Sequence, residues 1–284
     1  GTTSSPMAFP IPADELGSVS IVPNGSFEAG SYQTFVLTYV AGKFGIDDSG
    51  SMRVCFRFAS DQTRPQFEDP KGPNYTTIEA SNNAVLTYHY DPKGNVRPWD
   101  RTLYIKVVRG FLREGDKITI TFGDRSGGSP GMRLQTFCED SYEFHTLIDP
   151  IATYCYQPMP VQPVIKIIPG KPDRYLAVAP TIRAIDESFS IKFKGEDKWG
   201  NPSDQCDIQL YPRASHPVQN LPDVISLKPG EFFGVIEGLS VADAADLHID
   251  FLDDAGAVMC RTNPIRIEPA PLSRHLWGDH HGQS

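Results

Sequence analysis

The sequence lacks several features that would place it in a familiar functional class. It has no apolar run approaching the roughly 18 residues that a membrane-spanning helix needs. It also has no long run of like charges and no low-complexity tract. Its 26 Lys and Arg residues are outnumbered by 35 Asp and Glu residues, so the formal net charge is −9. A surface that binds nucleic acid needs an excess of positive charge. We therefore expect no membrane span and no nucleic acid partner.

Cysteine is scarce and scattered. The five cysteines show no Cys-x-x-Cys spacing, which argues against a zinc ribbon. A chain of 284 residues does not need a disulfide framework, so free thiols are expected, although Cys138 and Cys155 lie close enough in sequence to pair across a loop. The signatures of nucleophilic hydrolases, such as Gly-x-Ser-x-Gly, are absent from the sequence. The first residues lack the basic and apolar layout of a signal peptide, so the compartment stays unassigned.

Short alternating segments separated by turns dominate the chain. Residues 117–122 place Ile118, Ile120 and Phe122 on one face, and residues 188–194 alternate in the same way before a turn-forming set at residues 197–202. The 25 prolines and 24 glycines leave little room for long helices, and the clearest helical candidate is short, at residues 240–246. The pattern predicts an all-β protein of two consecutive antiparallel β-sandwich domains.

Proline-rich segments predict the domain boundaries. Prolines crowd residues 157–163, which indicates a stiff, extended connector. Residues 1–16 are expected to be extended or disordered, and residues 17–156 to form the first β-sandwich. Residues 164–268 contain short strands at the spacing of an immunoglobulin-like sandwich. A second proline-containing connector then opens residues 269–284, which we expect to begin a further domain.

The last residues carry the strongest chemical signal. Asp279, His280 and His281 follow the apolar pair Leu276-Trp277. Carboxylate and imidazole donors suit Zn, Mn or Fe, so Asp279 and His281 are candidate metal ligands. The alternative is a solvated tail with incidental histidines. Because one short cluster cannot complete a coordination shell, the remaining ligands lie either earlier in the chain or in a longer protein.

Several longer stretches resemble one bacterial family. They are residues 30–39, 45–50, 57–61, 65–67, 73–75, 123–131, 135–137, 197–202 and 277–284. From about Gly17 onwards the chain is similar to the uncharacterised family numbered 3604 among domains of unknown function. Members of that family carry β-rich N-terminal regions ahead of a catalytic domain similar to the polymerase-and-histidinol-phosphatase (PHP) metallohydrolases.

The resemblance implies a non-catalytic region of a larger, metal-dependent and phosphoesterase-like hydrolase. The sandwiches would dock on the missing C-terminal catalytic domain and shape access to it. His281 matches the first metal-binding histidine of the PHP opening motif, and Asp279 would bind the metal or orient His281. Gln283 stands where the wider superfamily has a second histidine, which puts full metal occupancy in doubt. In the complete protein a metal-bound hydroxide would attack a small-molecule ester, whereas this chain alone is expected to be inactive.

Two other interpretations remain. The chain is either a free-standing module that binds glycans or cell-surface partners, or a structural spacer, because β-sandwiches host many unrelated functions. An exposed aromatic platform at Phe67 or Tyr75 would favour the glycan-binding interpretation.

Two loop regions are also candidate ligand-binding sites. The Gly-rich residues 123–131 resemble a phosphate loop in which Arg125 clamps an anion, but a wide turn in which Asp124 accepts hydrogen bonds from nearby amides is the favoured interpretation. Asp47 and Asp48, with Asp61 and Asp69 nearby in sequence, suggest a calcium site, although acidic turns of this kind are common without a metal.

Overall fold

A computed structural model of the chain describes residues 10–270. The chain divides into two compact units, Gly1–Ile168 and Pro169–Ser284. Regular structure in the described range is one short 3-10 helix, Ala13–Glu15, followed only by β-strands. No helix in this range is long and apolar enough to cross a membrane. The all-β prediction is confirmed.

The first unit holds fourteen strands arranged mainly in antiparallel sheets. Their bounds are β1 (Gly17–Val22), β2 (Ser26–Glu28), β3 (Tyr32–Gln33), β4 (Phe35–Ala41), β5 (Ser51–Phe56), β6 (Thr77–Ala80), β7 (Val85–Asp91), β8 (Arg101–Arg109), β9 (Lys117–Phe122), β10 (Met132–Arg133), β11 (Glu139–Glu143), β12 (His145–Asp149), β13 (Gln157–Pro158) and β14 (Val164–Ile168). The two larger sheets have the orders β1-β4-β9-β6 and β13-β12-β5-β8-β7. Smaller sheets have the orders β11-β14-β2 and β10-β3.

The two larger sheets of the first unit share one hydrophobic core. Leu37 and Ile120 of the four-stranded sheet lie in the same buried cluster as Met52 and Ile105 of the five-stranded sheet. The predicted alternation of β9 is confirmed, because its apolar side chains are buried while the intervening threonines are half-buried. Burial of each large apolar side chain stabilises the fold by roughly 1.5–3 kcal/mol. Two sheets around one core is the layout that a β-sandwich requires.

The boundary between the units lies later than the prolines suggest. The predicted connector contains β13, which pairs with β12, and it runs into β14, which pairs with β11 and β2. Within the connector Met159 is buried, and the side chain of Gln162 accepts the Thr146 N–H at 2.8 Å. Residues 157–168 therefore belong to the first unit. Proline is tolerated there because it lies in very short or irregular strand segments at the sheet edge.

The described part of the N-terminal segment is also tied to the first unit. Gln157 donates from Nε2 to the Ile11 carbonyl at 3.0 Å and accepts the Ile11 N–H at Oε1 at 2.9 Å. Leu16 is buried in the core. In the described residues 10–16, the backbone of Ile11 and the side chain of Leu16 are therefore held against the first unit.

The second unit holds eleven strands. Their bounds are β15 (Arg174–Val178), β16 (Ile182–Ala184), β17 (Phe189–Glu196), β18 (Pro202–Ser203), β19 (Ile208–Ala214), β20 (Ile225–Leu227), β21 (Phe233–Leu239), β22 (Ala245–Leu247), β23 (Ile249–Leu252), β24 (Val258–Arg261) and β25 (Ile265–Glu268). They form the sheets β15-β17-β18 with β21 also paired to β17, β16-β25-β22, and β20-β19-β23-β24. A separate core includes Ile191, Leu210 and Phe251. The finer, immunoglobulin-like assignment stays a prediction.

The turn after β17 is held by one carboxylate. Asp197 Oδ1 accepts the Trp199 and Asn201 N–H groups, each at 2.9 Å, and Oδ2 accepts the Gly170 N–H at 3.0 Å. Burial by itself raises the pKa of Asp197, but these hydrogen bonds outweigh it and the net pKa is lowered. The predicted turn at residues 197–202 is confirmed.

The predicted helix at residues 240–246 is wrong. β21 ends at Leu239, and β22 pairs with β25 through Leu247 and Ile265. Val241 is fully buried. Tertiary pairing overrides the local preference of Ala-rich sequence for helix.

Candidate functional site

The outer face of the five-stranded sheet carries a polar and aromatic recess. Strand alternation turns Val54 and Leu103 into the core and places their neighbours on the other face. Cross-strand register then sets Arg53 of β5 opposite Tyr104 of β8, and Tyr104 opposite His89 of β7. Residues that are far apart in sequence thereby become direct neighbours.

We name this feature the Arg53 recess, after its most constrained side chain. It has a volume of about 210 Å³ and is lined by Arg53, His89, Asp91, Gly94, Thr102 and Tyr104. Pockets for drug-sized ligands usually measure about 300–1,000 Å³. The Arg53 recess therefore has room for one ring-sized group rather than for a whole large ligand.

Arg53 is fixed mainly by stacking. Its guanidinium carbon lies 3.9 Å from the ring centre of Tyr156 and 5.9 Å from that of Tyr104. Its Nη1 donates to Asn95 Oδ1 at 3.2 Å. The Nε atom is buried and has no hydrogen-bond partner in the described part of the chain. Since an unpaired buried donor is costly, this N–H is the clearest unsatisfied group of the recess.

Tyr156 supports Arg53 from outside the recess. Its hydroxyl hydrogen-bonds to the Ser51 hydroxyl. Burial, the largest cause, raises the pKa of Tyr156 to about 12. The phenol is therefore neutral near pH 7, and its ring presents a cation-attracting face to Arg53.

The loop after β7 closes one side of the recess. The Gly94 N–H donates to the Asp100 carbonyl at 2.9 Å, which brings Gly94 against β8. A β-carbon at Gly94 would lie 2.8 Å from Thr102 Cβ, closer than real contacts allow. Only glycine fits here without displacing a recess residue.

The Cys55 thiol lies next to the recess, in contact with two polar side chains. Asn95 Nδ2 lies 3.5 Å from Cys55 Sγ, and Thr102 Oγ1 lies 3.6 Å from it. Burial raises the pKa of Cys55 to about 11, so the thiol is protonated and a poor nucleophile. The five cysteines, all within the described residues, form no disulfide; Cys55 and Cys206 are buried, whereas Cys138 and Cys155 are exposed.

The recess offers donors, acceptors and flat apolar surfaces together. Arg53 supplies N–H donors and Asp91 supplies carboxylate oxygens. The His89 and Tyr104 rings lie 5.0 Å apart at an interplanar angle of 49°, which gives a shallow aromatic corner. This combination suits a small polar ring with both hydroxyl groups and an apolar face.

The predicted metal ligands, Asp279 and His281, lie outside the described residues, as does Gln283. Residues 10–270 contain no group of three or more His, Cys, Asp or Glu side chains that could hold a metal ion. The Zn, Mn or Fe site therefore stays a prediction that rests on the sequence alone.

The Gly-rich loop at residues 123–131 is a turn, as favoured. Asp124 Oδ1 accepts the Ser126 N–H at 3.0 Å, and Oδ2 accepts the Thr77 hydroxyl at 2.7 Å. These hydrogen bonds lower the pKa of Asp124. Arg125 donates to the backbone carbonyls of Pro130 and Tyr32 at 3.0 and 2.9 Å, so it closes the loop on the fold.

Two of the aspartates considered for calcium use their carboxylates in hydrogen bonds. Asp61 Oδ1 accepts the Thr136 N–H at 2.8 Å and Oδ2 accepts its hydroxyl at 2.5 Å, which joins segments 75 residues apart. Asp69 Oδ1 accepts the Lys71 N–H at 3.0 Å, as a turn-forming aspartate does.

The aromatic platform proposed at Phe67 and Tyr75 is absent from that position. Both residues are half-buried, and the Phe67 ring packs on Tyr88 at 4.9 Å and against the core. A different aromatic surface lies at His89, which is exposed, and at Tyr104, which is half-buried beside it. Sequence reasoning missed it because its residues converge only through strand register, although their alternation with core residues is visible in each strand.

The comparisons with known proteins assign no family. No protein-family model and no curated protein matches the chain. Among solved structures, the chain is similar to the adhesin InvE of Yersinia pseudotuberculosis at 9% identity and a TM-score of 0.26, over 88% of this chain and 58% of that one. It is similar to the Escherichia coli adhesin FdeC at 13% identity and a TM-score of 0.24, over 91% and 65%. For a marsupial T cell receptor the values are 11% and 0.27, over 90% and 73%.

The chain spans less than two thirds of either adhesin. Identities and TM-scores at this level assign no activity. Any functional argument must therefore come from the residues of the chain itself.

Proposed function

We propose that this chain is a binding module whose Arg53 recess holds one ring of a hydroxyl-rich ligand, most simply a glycan. The observation that carries the proposal is Arg53, which lines the recess while its guanidinium is held by stacking on Tyr156 and by a hydrogen bond to Asn95. A guanidinium fixed in this way presents N–H donors to ligand hydroxyl oxygens in a set orientation. This function corresponds to the surface-binding interpretation of the sequence.

A sugar ring has polar hydroxyl groups and an apolar face, and the recess has groups that complement each of them. Its hydroxyl groups donate and accept hydrogen bonds, which Asp91 and Arg53 complement. Its apolar C–H face would cover the aromatic corner of Tyr104 and His89, where burial of apolar surface contributes about 25 cal/mol per Å². The fixed position of Arg53 favours binding because little side-chain freedom is lost.

A metal-dependent hydrolase remains a separate hypothesis about a longer protein. It rests on Asp279 and His281, and it predicts that a chain extended beyond Ser284 binds Zn, Mn or Fe. Elemental analysis of that protein and of its His281→Ala variant tests it. Equal metal content in the two proteins would contradict the role of His281.

The glycan proposal is tested with a glycan array, followed by calorimetry on the best-bound glycan. Arg53→Lys keeps the charge but loses the planar guanidinium, so we expect affinity to fall about tenfold, equivalent to about 1.4 kcal/mol. Arg109→Gln, at the exposed end of β8, is the matched control and should leave affinity unchanged. Binding that Arg53→Lys leaves intact, or an array without any bound glycan, would contradict the proposal.

A further inference from the structure

The outer face of the β15-β17-β21 sheet in the second unit has an unusual composition. Register places Lys194 of β17 between Leu176 and Phe233, and Lys192 between Val178 and Val235. Two apolar columns therefore flank a central column of lysines. We name these six residues the lysine face.

The lysine face contains a recess of about 340 Å³. Its lining consists of Leu176, Val178, Lys192, Phe193, Lys194, Pro202 and Phe233. This volume falls within the about 300–1,000 Å³ that is usual for small-molecule sites. Val178 is 62% exposed and Phe233 is 59% exposed. Clustered apolar exposure of this kind marks a binding surface more often than an isolated exposed side chain does.

The charge at the centre of this face is only partly neutralised. Lys194 Nζ lies 3.5 Å from Glu196 Oε2, and Glu196 also pairs with Arg174 at 3.1 Å. Lys192 Nζ instead lies 5.9 Å from the Phe233 ring centre, and no described carboxylate is within ion-pair distance of it. On a chain with a net charge of −9, Lys192 is a local site of positive charge among apolar side chains.

These features exclude several classes of ligand for the lysine face. A wholly apolar ligand would strip water from Lys192 without replacing its interactions, which is costly. A cation would be repelled. A second copy packed symmetrically through the same face would bring lysines against lysines, which destabilises an interface. An occupant with an apolar body and one negative group meets every requirement.

We propose that the lysine face binds a small amphipathic organic acid, with its carboxylate at Lys192 and its hydrocarbon or aromatic body along the apolar columns. The body would cover Phe233 and Val178, and the carboxylate would displace only loosely held water from the ammonium group. This site is independent of the Arg53 recess and of the glycan proposal.

Dodecanoate, used below its micelle-forming concentration, is the probe for the full chain. Dodecyltrimethylammonium has the same hydrocarbon chain and the opposite charge. We expect calorimetry to give an affinity for dodecanoate at least about tenfold higher, and amide shifts in NMR spectra to centre on Lys192 and Gly234. Lys192→Gln/Lys194→Gln should weaken dodecanoate binding about fivefold, as expected for the loss of one exposed ion pair at Lys192.

Two further variants separate the apolar and charged contributions. Val178→Ser/Phe233→Ser should weaken both probes, because it removes exposed apolar contact surface from the site. Lys228→Gln, at an exposed lysine elsewhere in the unit, should change neither affinity. Equal binding of the two probes, shifts that centre away from β17 and β21, or a Lys228→Gln loss equal to that of the double lysine variant would overturn the proposal.

Discussion

The Arg53 recess and the lysine face are both outer faces of antiparallel sheets, yet they hold their cations in different ways. Arg53 is stacked at 3.9 Å on Tyr156 and hydrogen-bonded to Asn95, whereas Lys192 is only loosely associated with Phe233 at 5.9 Å. Fixed donors favour ligands of one shape, because their orientation is set before binding. Flexible lysines favour charge over shape. Strand alternation therefore decides which side chains face outward. The neighbours of each outward side chain decide how selectively it binds a ligand.

The largest expected effect comes from filling the Arg53 recess. Gly94→Val would place side-chain atoms where a β-carbon already lies 2.8 Å from Thr102 Cβ. We expect the affinity for the array-selected glycan to fall by at least about 30-fold, equivalent to about 2 kcal/mol, while dodecanoate binding at the lysine face is unchanged. Calorimetry with the glycan and with dodecanoate measures the two affinities. A loss of both activities together would instead indicate general unfolding, which circular dichroism detects.

A smaller effect is expected on the pH dependence of the second unit's stability. Asp250 accepts two hydrogen bonds from Arg261, at 2.7 and 3.2 Å, and these are the main cause of its lowered pKa. Because the folded pKa is lowered, the stabilisation is present above the unfolded pKa of about 3.9 and is lost as pH falls through the folded pKa. Asp250→Asn should lower the free energy of unfolding of the second unit by about 1–2 kcal/mol at pH 7.

Urea denaturation at pH 7 and pH 3 provides the measurement. The difference between wild type and Asp250→Asn should shrink at the lower pH, because pH 3 lies below the unfolded pKa of about 3.9 and proton binding there favours the unfolded wild type. Glycan binding by the first unit at pH 7 should be unaffected. A difference that is constant between the two pH values would show that the ion pair does not stabilise the fold.

The smallest expected effect concerns the support behind Arg53. Tyr156→Phe keeps the ring but removes the hydrogen bond to Ser51, at a cost of about 1 kcal/mol in stability. Glycan affinity should fall only about two- to threefold, corresponding to about 0.5 kcal/mol, because Arg53 keeps its aromatic neighbour. Tyr156→Ala should cause a larger loss of affinity. Equal losses for the two variants would show that the hydroxyl, rather than ring stacking, positions Arg53.

Local patterns predict the interior of this protein well. Ile118, Ile120 and Phe122 are buried as their alternation indicates, and Asp197 forms the turn that its neighbours suggest. The predictions succeed where the relevant contacts are set within a few residues. They also include the turn at Asp124.

Features that depend on pairing between distant segments cannot be predicted from local sequence patterns. A proline-rich stretch resembles a linker, but Gln157 and Met159 show that this one is attached to a sheet. The Arg53 recess needs three strands in one register before Tyr104 meets His89. The apolar exposure of Phe233 is equally hidden, because apolar residues occupy consecutive positions at 232–233 and 235–236, so alternation does not distinguish the two faces of the strand.

Within the described residues, the last strand of each unit pairs in parallel with an earlier strand, and this bears on how the units withstand tension. β14 runs parallel to β2 in the first unit, and β25 runs parallel to β16 in the second. Strands pulled in opposite directions along such a pair must slide past each other, so their hydrogen bonds share the load instead of parting in turn as in a hairpin. We expect both units to rupture at high force in single-molecule stretching. Ile167→Pro in β14 should lower the rupture force of the first unit alone.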